Sequence, residues 1–345
     1  MIDMPYRYQE QIDVETARCI ICPRSCVLKP NQRGFCGTKQ NQGGKIVNLT
    51  YGILSSMAVD PIEKKPLFHF YPGSLTFSIS SVGCSFTCPW CQNWNISQAK
   101  PPADVKQHWP PEHIVDAAHR QECTSIAYTY NEPLINLDYV EDCSRIARKE
   151  GIKNVLVSNG YVTIKALDRV VDVIDAANID WKGFTEEFYR KHCSADMQSV
   201  LDATVEMYRK GVHIEITFLI IPQTNDSPDE TRKMAKYLLD NLGPDVPLHL
   251  SQFHPDYKFS HLPPTPVETL LRSRDIAKAE GLHYVYVGNV HEKGLEDTIC
   301  PRCGTKVIER IGFNVTGWRL SDQMNCMKCG LSIPIIGQKE HHVDF

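Results

Sequence analysis

The sequence predicts an α/β fold, specifically a partial (β/α) barrel of about six to seven βα units between two cysteine-rich segments. Seven apolar, strand-like runs alternate with helix-like segments; they are Leu75–Val82, Ser125–Thr129, Asn154–Ser158, Ala177–Asp180, His213–Leu219, Leu248–Phe253 and His283–Val287. Capping boxes that begin at Ser227 and Thr265 mark two helix starts, and Gly151, Gly211 and Gly281 mark three helix ends. Strands that alternate with helices lie parallel, so seven units predict an open barrel.

Length and composition agree with a globular enzyme that has a barrel-sized domain and appended segments. The chain has 345 residues, of which 42% are hydrophobic and 23% are charged. The formal net charge of -4 makes nucleic acid an unlikely partner. The apolar run Ile214–Ile221 is too short to cross a membrane, and Met1–Gln11 contains no signal-peptide core, so we expect a cytoplasmic protein.

Eleven of the fourteen cysteines fall into three groups, which suggests metal binding in a reducing compartment. The groups are Cys19, Cys22, Cys26 and Cys36, then Cys84, Cys88 and Cys91, and then Cys300, Cys303, Cys326 and Cys329. The isolated Cys123, Cys143 and Cys193 are interpreted as structural. The groups predict three domains, with an N-terminal four-cysteine segment at 1–73, the partial barrel at 74–292 and a C-terminal four-cysteine module at 293–345.

Polar or metal-ligating residues follow every predicted strand, which places the expected active site at the carboxyl ends of the strands. In strand order these residues are Cys84, then Asn131 and Glu132, Ser158 and Asn159, Asp180 and Lys182, Gln223 and Asn225, His254, and finally Asn289 and His291. We expect all seven loops to line one site.

The middle cysteine group supplies three thiolates within eight residues, at the end of the first barrel strand. A structural zinc ion needs four ligands, and a zinc knuckle completed by His108 or a distant cysteine is the less favoured alternative. Three cysteines on a cubane iron–sulfur cluster leave one iron open to a small molecule. The group therefore predicts a reactive cluster at Cys84, Cys88 and Cys91.

The spacing C-x3-C-x2-C, with Trp90 before the last cysteine, resembles the signature of the radical S-adenosylmethionine superfamily. The resemblance implies a [4Fe-4S] cluster whose open iron binds S-adenosylmethionine, with Trp90 near that cofactor. It also implies cleavage of the cofactor to methionine and a 5'-deoxyadenosyl radical. The electron would come from a low-potential donor of the ferredoxin or flavodoxin type.

Further motifs resemble those of activating enzymes related to pyruvate formate-lyase activase. Thr129-Tyr-Asn-Glu132-Pro resembles their Gly-Gly-Glu-Pro loop, which implies that Glu132 holds the methionine ammonium. The remaining cofactor-binding residues implied by this resemblance are Ser158, Asn159, Asp180, Lys182 and His254. This chain has Val157 where the activases have an aspartate that helps to hold a monovalent cation, so the resemblance does not extend to a cation site.

The two outer cysteine groups differ in their spacing. Cys300-x2-Cys303-Gly and Cys326-x2-Cys329-Gly are two knuckles separated by 22 residues, which predicts a zinc-ribbon or rubredoxin-like module holding one structural zinc or iron ion. Cys19, Cys22, Cys26 and Cys36 follow the irregular pattern C-x2-C-x3-C-x9-C. That pattern fits a structural zinc ion or a second, auxiliary iron–sulfur cluster, and both interpretations stay open.

The order of motifs along nearly the whole chain resembles the radical S-adenosylmethionine protein of the AmmeMemoRadiSam system, which implies a Memo-like partner protein. The favoured function is an enzyme that abstracts hydrogen from an unidentified substrate. The alternative is an activase that acts on a glycine of a partner protein, and a less favoured one is a non-catalytic metal-dependent scaffold or RNA-binding module. An activase requires an open barrel edge, whereas a small substrate requires a lid, formed by the N-terminal segment or by Pro101–Trp109.

Overall fold

The computed structural model of the protein describes residues 7–101 and 107–338. The chain begins with a cysteine-rich segment whose strands are β1 (Gln9–Gln11), β2 (Ala17–Cys19), β3 (Val27–Leu28), β4 (Lys39–Gln42) and β5 (Lys45–Asn48). These pair antiparallel, in the order β1-β2-β3 and as the pair β4-β5. Strands this short cannot bury a core of their own, and the segment packs against the barrel instead.

An eight-stranded sheet forms the centre of the molecule. Its strands are β6 (Ser56–Pro61), β7 (Leu75–Ser80), β8 (Ser125–Tyr128), β9 (Lys153–Ser158), β10 (Ala176–Trp181), β11 (His213–Ile220), β12 (Leu248–Gln252) and β13 (Val285–Gly288). They lie side by side in chain order, and β7 to β13 are parallel. In the described residues β6 and β13 do not pair, so the barrel is open, and all seven predicted strands are confirmed.

Helices connect the parallel strands. They are α1 (Trp94–Ser97), α2 (Pro111–Arg120), α3 (Leu137–Lys149), α4 (Ile164–Leu167), α5 (Glu186–Phe188), α6 (Met197–Arg209), α7 (Pro228–Leu242) and α8 (Val267–Ala279). Ser227 is the N-cap of α7, because its hydroxyl accepts the Glu230 N–H at 3.1 Å, but the reciprocal half of the predicted capping box is not formed: the Glu230 carboxylate accepts the Phe184 N–H instead. The one at Thr265 is wrong. The Thr265 hydroxyl donates to the Ile220 carbonyl instead, and Pro266 precedes the helix. None of the helices in the described residues is long and apolar enough to span a membrane.

One sheet strand lies outside the residues expected to form the barrel. Strand β6 pairs antiparallel with β7 and comes from the segment before residue 74. Residues 62–73 then cross the amino ends of the strands, where Ile62, Leu67 and Phe70 pack against the inward-facing Ala127 and Val155. The predicted division at residue 73 stays a prediction, and the central sheet extends beyond it.

The C-terminal module lies at this amino end of the barrel. Its strands are β14 (Thr298–Ile299), β15 (Lys306–Ile311) and β16 (Asn314–Trp318). A second hydrophobic cluster joins the module to Phe68 and Tyr286 of the barrel. The Arg310 guanidinium donates to the Phe68 carbonyl at 2.8 Å, and its Nε lies 3.6 Å from the carboxylate of the buried Glu63.

The N-terminal segment lies at the opposite end, over the loops that follow the strands. Thr163, five residues after the end of β9, donates its backbone N–H to the Ile21 carbonyl and its hydroxyl to the Ile20 carbonyl. Arg24 donates to the Ser85 carbonyl at 3.1 Å. The two cysteine-rich segments are therefore attached to opposite ends of one barrel.

Candidate active site at the carboxyl ends of the strands

The loop with three cysteines follows β7 and is fastened on both sides. Asn131 accepts the Ser81 N–H and donates to the Gly83 carbonyl at 3.0 Å, which ties this loop to the end of β8. Gly83 has a φ of +89°, and a Cβ there would lie 2.6 Å from the Cys36 carbonyl oxygen. Glycine is therefore required where the N-terminal segment approaches the residue before Cys84.

Two of the three sulfur atoms, those of Cys84 and Cys91, have N–H or O–H groups beside them. The Phe86 N–H and the Asn159 side-chain amide donate to Cys84 Sγ, at 3.3 and 3.8 Å. Cys91 Sγ lies 3.3 Å from the Ser97 hydroxyl. Hydrogen bonds to cluster sulfurs set the reduction potential of an iron–sulfur centre. The loop thus provides three thiols, two of which have hydrogen-bond donors beside them.

Burial keeps these thiols protonated in the metal-free protein. It raises the pKa of Cys84, with a further contribution from the nearby Glu132 carboxylate. The pKa of Cys88 is raised by the thiol of Cys193 and by burial, and that of Cys91 is raised mainly by burial. Because a metal binds the thiolate, metal binding by these cysteines would release protons.

Glu132 lies near enough to Cys84 to raise the pKa of its thiol, and it is 2% exposed. Its two oxygens accept hydrogen bonds from the Leu134 N–H, the Ser158 hydroxyl at 2.7 Å and the Asn159 N–H at 2.8 Å. Burial raises its pKa to about 7 despite these donors. The structure therefore brings Glu132, Ser158 and Asn159 together, and Asn159 also reaches Ser85 Oγ at 3.1 Å.

Asp180 and Lys182 form an ion pair at the end of β10, with Nζ 2.8 Å from Oδ2. Burial opposes the charge on Lys182, but the neighbouring Asp180 carboxylate outweighs it and is the main cause that raises the lysine pKa. Asn225 donates to the Lys182 carbonyl at 3.1 Å and so links the loop after β11 to this pair. The lysine thus supplies positive charge beside Cys88.

Trp90 and His254 have different surroundings. Trp90 is 4% exposed and packs among Phe188, His192 and Phe259, with ring centroids 5.4 to 6.1 Å apart. The N–H groups of residues 258 and 259 donate to the Pro89 carbonyl, which draws the loop after β12 towards the cysteine loop. His254 lies in that same loop with an exposed side chain. The binding roles of Trp90 and His254 stay predictions.

Sequence reasoning missed the position of Cys193. This buried residue ends a π-helical turn, Tyr189–Cys193, that continues from α5. Its Sγ lies 3.9 Å from Cys88 Sγ, although 105 positions separate the two residues. No spacing signal connects them, because their proximity arises only when the barrel forms.

A surface cavity of about 660 Å³ opens beside the cysteine loop. It is lined by Arg24 of the N-terminal segment, Tyr161 after β9, and Glu186, Arg190 and Asp196 after β10. Arg24 also donates to the carbonyls of Ser85 and Ser194 and so spans two of these loops. Of the other predicted lid, Pro101–Trp109, residues 102–106 lie outside the described residues, and the Trp109 N–H donates to the Gly52 carbonyl.

The C-terminal cysteines form a closed four-thiol site. The sulfur atoms of Cys300, Cys303, Cys326 and Cys329 all lie within 4.8 Å of one another. Tetrahedral Zn–S bonds of about 2.3 Å require sulfur separations of about 3.8 Å, which this arrangement nearly provides. Gly304 and Gly330, with φ of +70° and +74°, close the two knuckles. The site fits one metal ion in a zinc-ribbon module.

The N-terminal cysteines lie near one another in a looser arrangement. The Cys19 N–H donates to the Cys26 carbonyl, and a Cβ on Gly34 would lie 3.9 Å from Cys26 Sγ. Burial and, after it, the neighbouring thiols of Cys19, Cys36 and Cys26 raise the pKa of Cys22 to about 12. Cys36 Sγ lies 3.2 Å from the Thr38 hydroxyl.

Comparison with known proteins identifies the family. The model of the radical SAM superfamily matches residues 78–238, which include the cysteine loop, Glu132, Asn159 and Lys182. Pyruvate formate-lyase 1-activating enzyme of Escherichia coli (strain K12) is 22% identical over 214 residues, covering 58% of this chain and 87% of that enzyme. The chain belongs to the radical SAM superfamily. It is therefore an enzyme of the class that uses a [4Fe-4S] cluster and S-adenosylmethionine, and its three-thiol loop fits such a cluster.

The similarity to one archaeal relative extends over almost the whole chain. The uncharacterized protein MJ0808 of Methanocaldococcus jannaschii is 43% identical over 330 residues, covering 95% of this chain and 98% of that protein. Among solved structures, a radical SAM methyltransferase from Sphaerobacter thermophilus has a TM-score of 0.51 at 16% identity. The match covers 83% of this chain and 76% of that one, so this radical SAM protein shares the fold.

Proposed function

We propose that Cys84, Cys88 and Cys91 hold the [4Fe-4S] cluster of a radical SAM enzyme that abstracts hydrogen from an organic substrate at the mouth of the barrel. When bound, the cluster and S-adenosylmethionine supply the one-electron reduction that releases methionine and a 5'-deoxyadenosyl radical. The observation that carries this proposal is the loop itself, in which three thiols, two of them with hydrogen-bond donors beside them, lie at the same strand ends as the buried carboxylate of Glu132.

Residues around the cysteine loop would bind different parts of S-adenosylmethionine. The Glu132 carboxylate would accept hydrogen bonds from the amino group of the methionine part. Ser158 and Asn159 donate to the Glu132 carboxylate and hold it in place. Lys182 places a positive charge next to Cys88, with Asp180 fixing its position. Trp90 lines the cofactor site from the cysteine loop, and His254 reaches the adenine side from the loop after β12.

A small substrate fits the arrangement better than a peptide loop does. Arg24 bridges the carbonyls of Ser85 and Ser194, so the N-terminal segment covers part of the mouth as a lid would. The cavity beside it has charged walls from Glu186 and Arg190, which suit a polar substrate. The open edge between β6 and β13 and the similarity to an activating enzyme favour the second candidate, a glycyl radical enzyme activase.

Partners follow from the same chemistry. Reduction of the cluster requires a low-potential donor of the ferredoxin or flavodoxin type. Membership of the AmmeMemoRadiSam system, with its Memo-like partner, is supported by the motif order along the whole chain. Co-purification of the enzyme with a Memo-like protein from the same organism tests this assignment. It is contradicted if the two proteins form no complex and if adding the Memo-like protein leaves the rate of S-adenosylmethionine cleavage unchanged.

Reductive cleavage of S-adenosylmethionine is the direct test of the proposed function. Anaerobically reconstituted protein, given a low-potential donor, is expected to form 5'-deoxyadenosine. Cys88→Ala should reduce the rate at least about 100-fold, because the cluster has no spare protein ligand. Cys123→Ala is the matched control, since this buried thiol donates to the Gln121 carbonyl in the loop after α2, and its loss should leave the rate unchanged. Persistent product formation by Cys88→Ala overturns the assignment.

Hydrogen transfer distinguishes the two substrate classes. Deuterium should appear in 5'-deoxyadenosine when the enzyme turns over with a deuterated small-molecule extract. An activase instead takes deuterium from a glycine-labelled partner protein and leaves a protein-based radical that is visible by electron paramagnetic resonance. Transfer only from the labelled protein would replace the first candidate with the second.

A further inference from the structure

The N-terminal cysteine set contacts the active-site loop on both sides of Cys84. The carbonyl of Cys36 lies against Gly83, the residue before Cys84. Arg24, between Cys22 and Cys26, donates to the carbonyl of Ser85, the residue after Cys84. Any metal centre held by the N-terminal set is therefore a neighbour of the centre held by Cys84.

The sulfur atoms of the N-terminal set are more widely spread than those of the ribbon. Across residues 7–101 and 107–338, the ribbon is the one group of three or more cysteine, histidine or acidic side chains whose ligand atoms all lie within 4.8 Å. The N-terminal set shares its wider spread with Cys84, Cys88 and Cys91, the set that fits a cubane cluster. A single zinc ion needs sulfur separations of about 3.8 Å, whereas a four-iron cluster holds its thiolates farther apart.

The local backbone also differs from that of a zinc knuckle. In the ribbon, each pair of cysteines is closed by the same turn, in which the Gly304 and Gly330 N–H groups donate to the Cys300 and Cys326 carbonyls. In the N-terminal set, Cys19 sits on β2 and pairs with Cys26 across the sheet, while Cys36 lies in a separate turn that ends at Gly37. The four ligands therefore come from a strand (Cys19), the loop after it (Cys22 and Cys26) and a separate turn (Cys36), rather than from two matching knuckles.

We infer that Cys19, Cys22, Cys26 and Cys36 bind a second [4Fe-4S] cluster, which lies beside the radical-forming cluster at the mouth of the barrel. The buried Lys39 lies near enough to attract the Cys19 thiolate, and it offsets part of the negative charge of four thiolates. All four positions are occupied by cysteine, so this second cluster has no open iron for S-adenosylmethionine. The inference does not depend on the proposed reaction, because metal content is measured without turnover.

Metal and sulfide analysis of the intact protein is the first test. After anaerobic reconstitution with ferrous iron and sulfide, we expect about eight irons and eight sulfides per chain, with one further zinc or iron ion in the ribbon. A Cys84→Ala/Cys88→Ala/Cys91→Ala variant should keep about four irons and the Mössbauer spectrum of a [4Fe-4S] cluster. Adding Cys19→Ser and Cys22→Ser should remove this remaining cluster, whereas adding Cys143→Ala, a buried cysteine of α3, should not.

The outcomes separate this inference from the proposed function. About four irons and two zinc ions in the intact protein, with the zinc lost on Cys19→Ser/Cys22→Ser, would overturn the second cluster and leave the proposed reaction intact. Cluster loss from the triple variant with no iron remaining would also overturn it. A triple variant that keeps four irons supports the second cluster even if the intact enzyme cleaves no S-adenosylmethionine.

Discussion

The two four-cysteine sites occupy opposite ends of one barrel and differ in how they are built. The ribbon gathers its four sulfur atoms within 4.8 Å and joins the amino ends of the strands through Arg310, far from the cysteine loop. The N-terminal set spreads its thiols over three backbone elements and touches the residues on either side of Cys84. The comparison shows that ligand identity alone does not fix a role, because position and spread separate a structural site from one that belongs to the active end.

Removing ribbon cysteines should give the largest stability effect and the smallest catalytic effect. In Cys300→Ser/Cys326→Ser, we expect the module to unfold, because the binding energy of a structural metal, about 10–16 kcal/mol in zinc-finger peptides, is folding energy. Hydrogen exchange should show loss of protection in β15 and β16 while 5'-deoxyadenosine formation per folded barrel stays within about twofold. Loss of that activity without module unfolding would make the ribbon part of the active site.

The contact that fastens the ribbon provides a second test. Arg310 and Glu63 both have fully buried side chains, and Arg310 also donates to Thr298 Oγ1 at 2.9 Å. Arg310→Met leaves a buried carboxylate without its cation, so unfolding free energy should fall by about 3–5 kcal/mol. Burial raises the pKa of Glu63 to about 7. The loss of unfolding free energy in Arg310→Met should therefore grow as the pH rises through that value and the carboxyl ionises.

Arg319→Met is the matched control for the Arg310 variant. Arg319 is a half-exposed arginine of the same module that pairs with Glu309, and its loss should cost less than about 1 kcal/mol. Chemical denaturation at pH 6 and pH 8 measures both variants. Equal losses in the two would mean that the buried pair does not fasten the ribbon.

The regular parts of the fold were accessible to sequence reasoning. Strand β9, for example, is a short run of apolar residues between a glycine and the polar Ser158–Asn159, and such runs follow from burial on both faces. Strand β6 was missed because Ser56–Pro61 is a half-exposed edge strand that contains an aspartate and ends in proline. Its place in the sheet comes from pairing with β7 rather than from its own pattern.

The candidate site was predictable to the extent that its residues follow strands. Cys84, Glu132 and Asn159 follow three adjacent parallel strands, and the parallel geometry places the loops that hold them at the same edge of the sheet. Cys193 was not predictable, since an irregular π-helical turn rather than a strand end carries it to Cys88. The capping role expected of Thr265 failed for a related reason, because its hydroxyl bonds to the distant Ile220 carbonyl.

Loosening the N-terminal segment should have a moderate effect that appears at the active end. Arg24 bonds to the carbonyls of Ser85 and Ser194, and its guanidinium lies 3.5 Å from the centre of the Phe35 ring. Arg24→Ala should lower stability by about 1–3 kcal/mol and slow formation of 5'-deoxyadenosine severalfold. Arg18→Ala is the control, because exposed Arg18 makes only a 3.5 Å ion pair with Glu10. Identical activity in Arg24→Ala and Arg18→Ala would mean that the contacts of Arg24 with the active-site loops do not contribute to catalysis.

The smallest predicted effect is on the pH dependence of S-adenosylmethionine affinity, through the ionisation of Glu132 at the mouth of the barrel. In its proposed role, Glu132 would accept hydrogen bonds as a carboxylate from the amino group of S-adenosylmethionine, yet burial raises its pKa to about 7 in the free site. The protonated carboxyl therefore predominates below pH 7, and affinity should rise about tenfold between pH 6 and pH 8 and then level off. Glu132→Gln should bind more weakly and show a flatter profile, because its amide does not titrate. Titration of the cofactor, followed through the electron paramagnetic resonance signal of the cluster, measures both. Parallel profiles in the two proteins would assign the pH dependence to a group other than Glu132, whereas a difference that appears only above pH 7 would place this carboxylate against the cofactor.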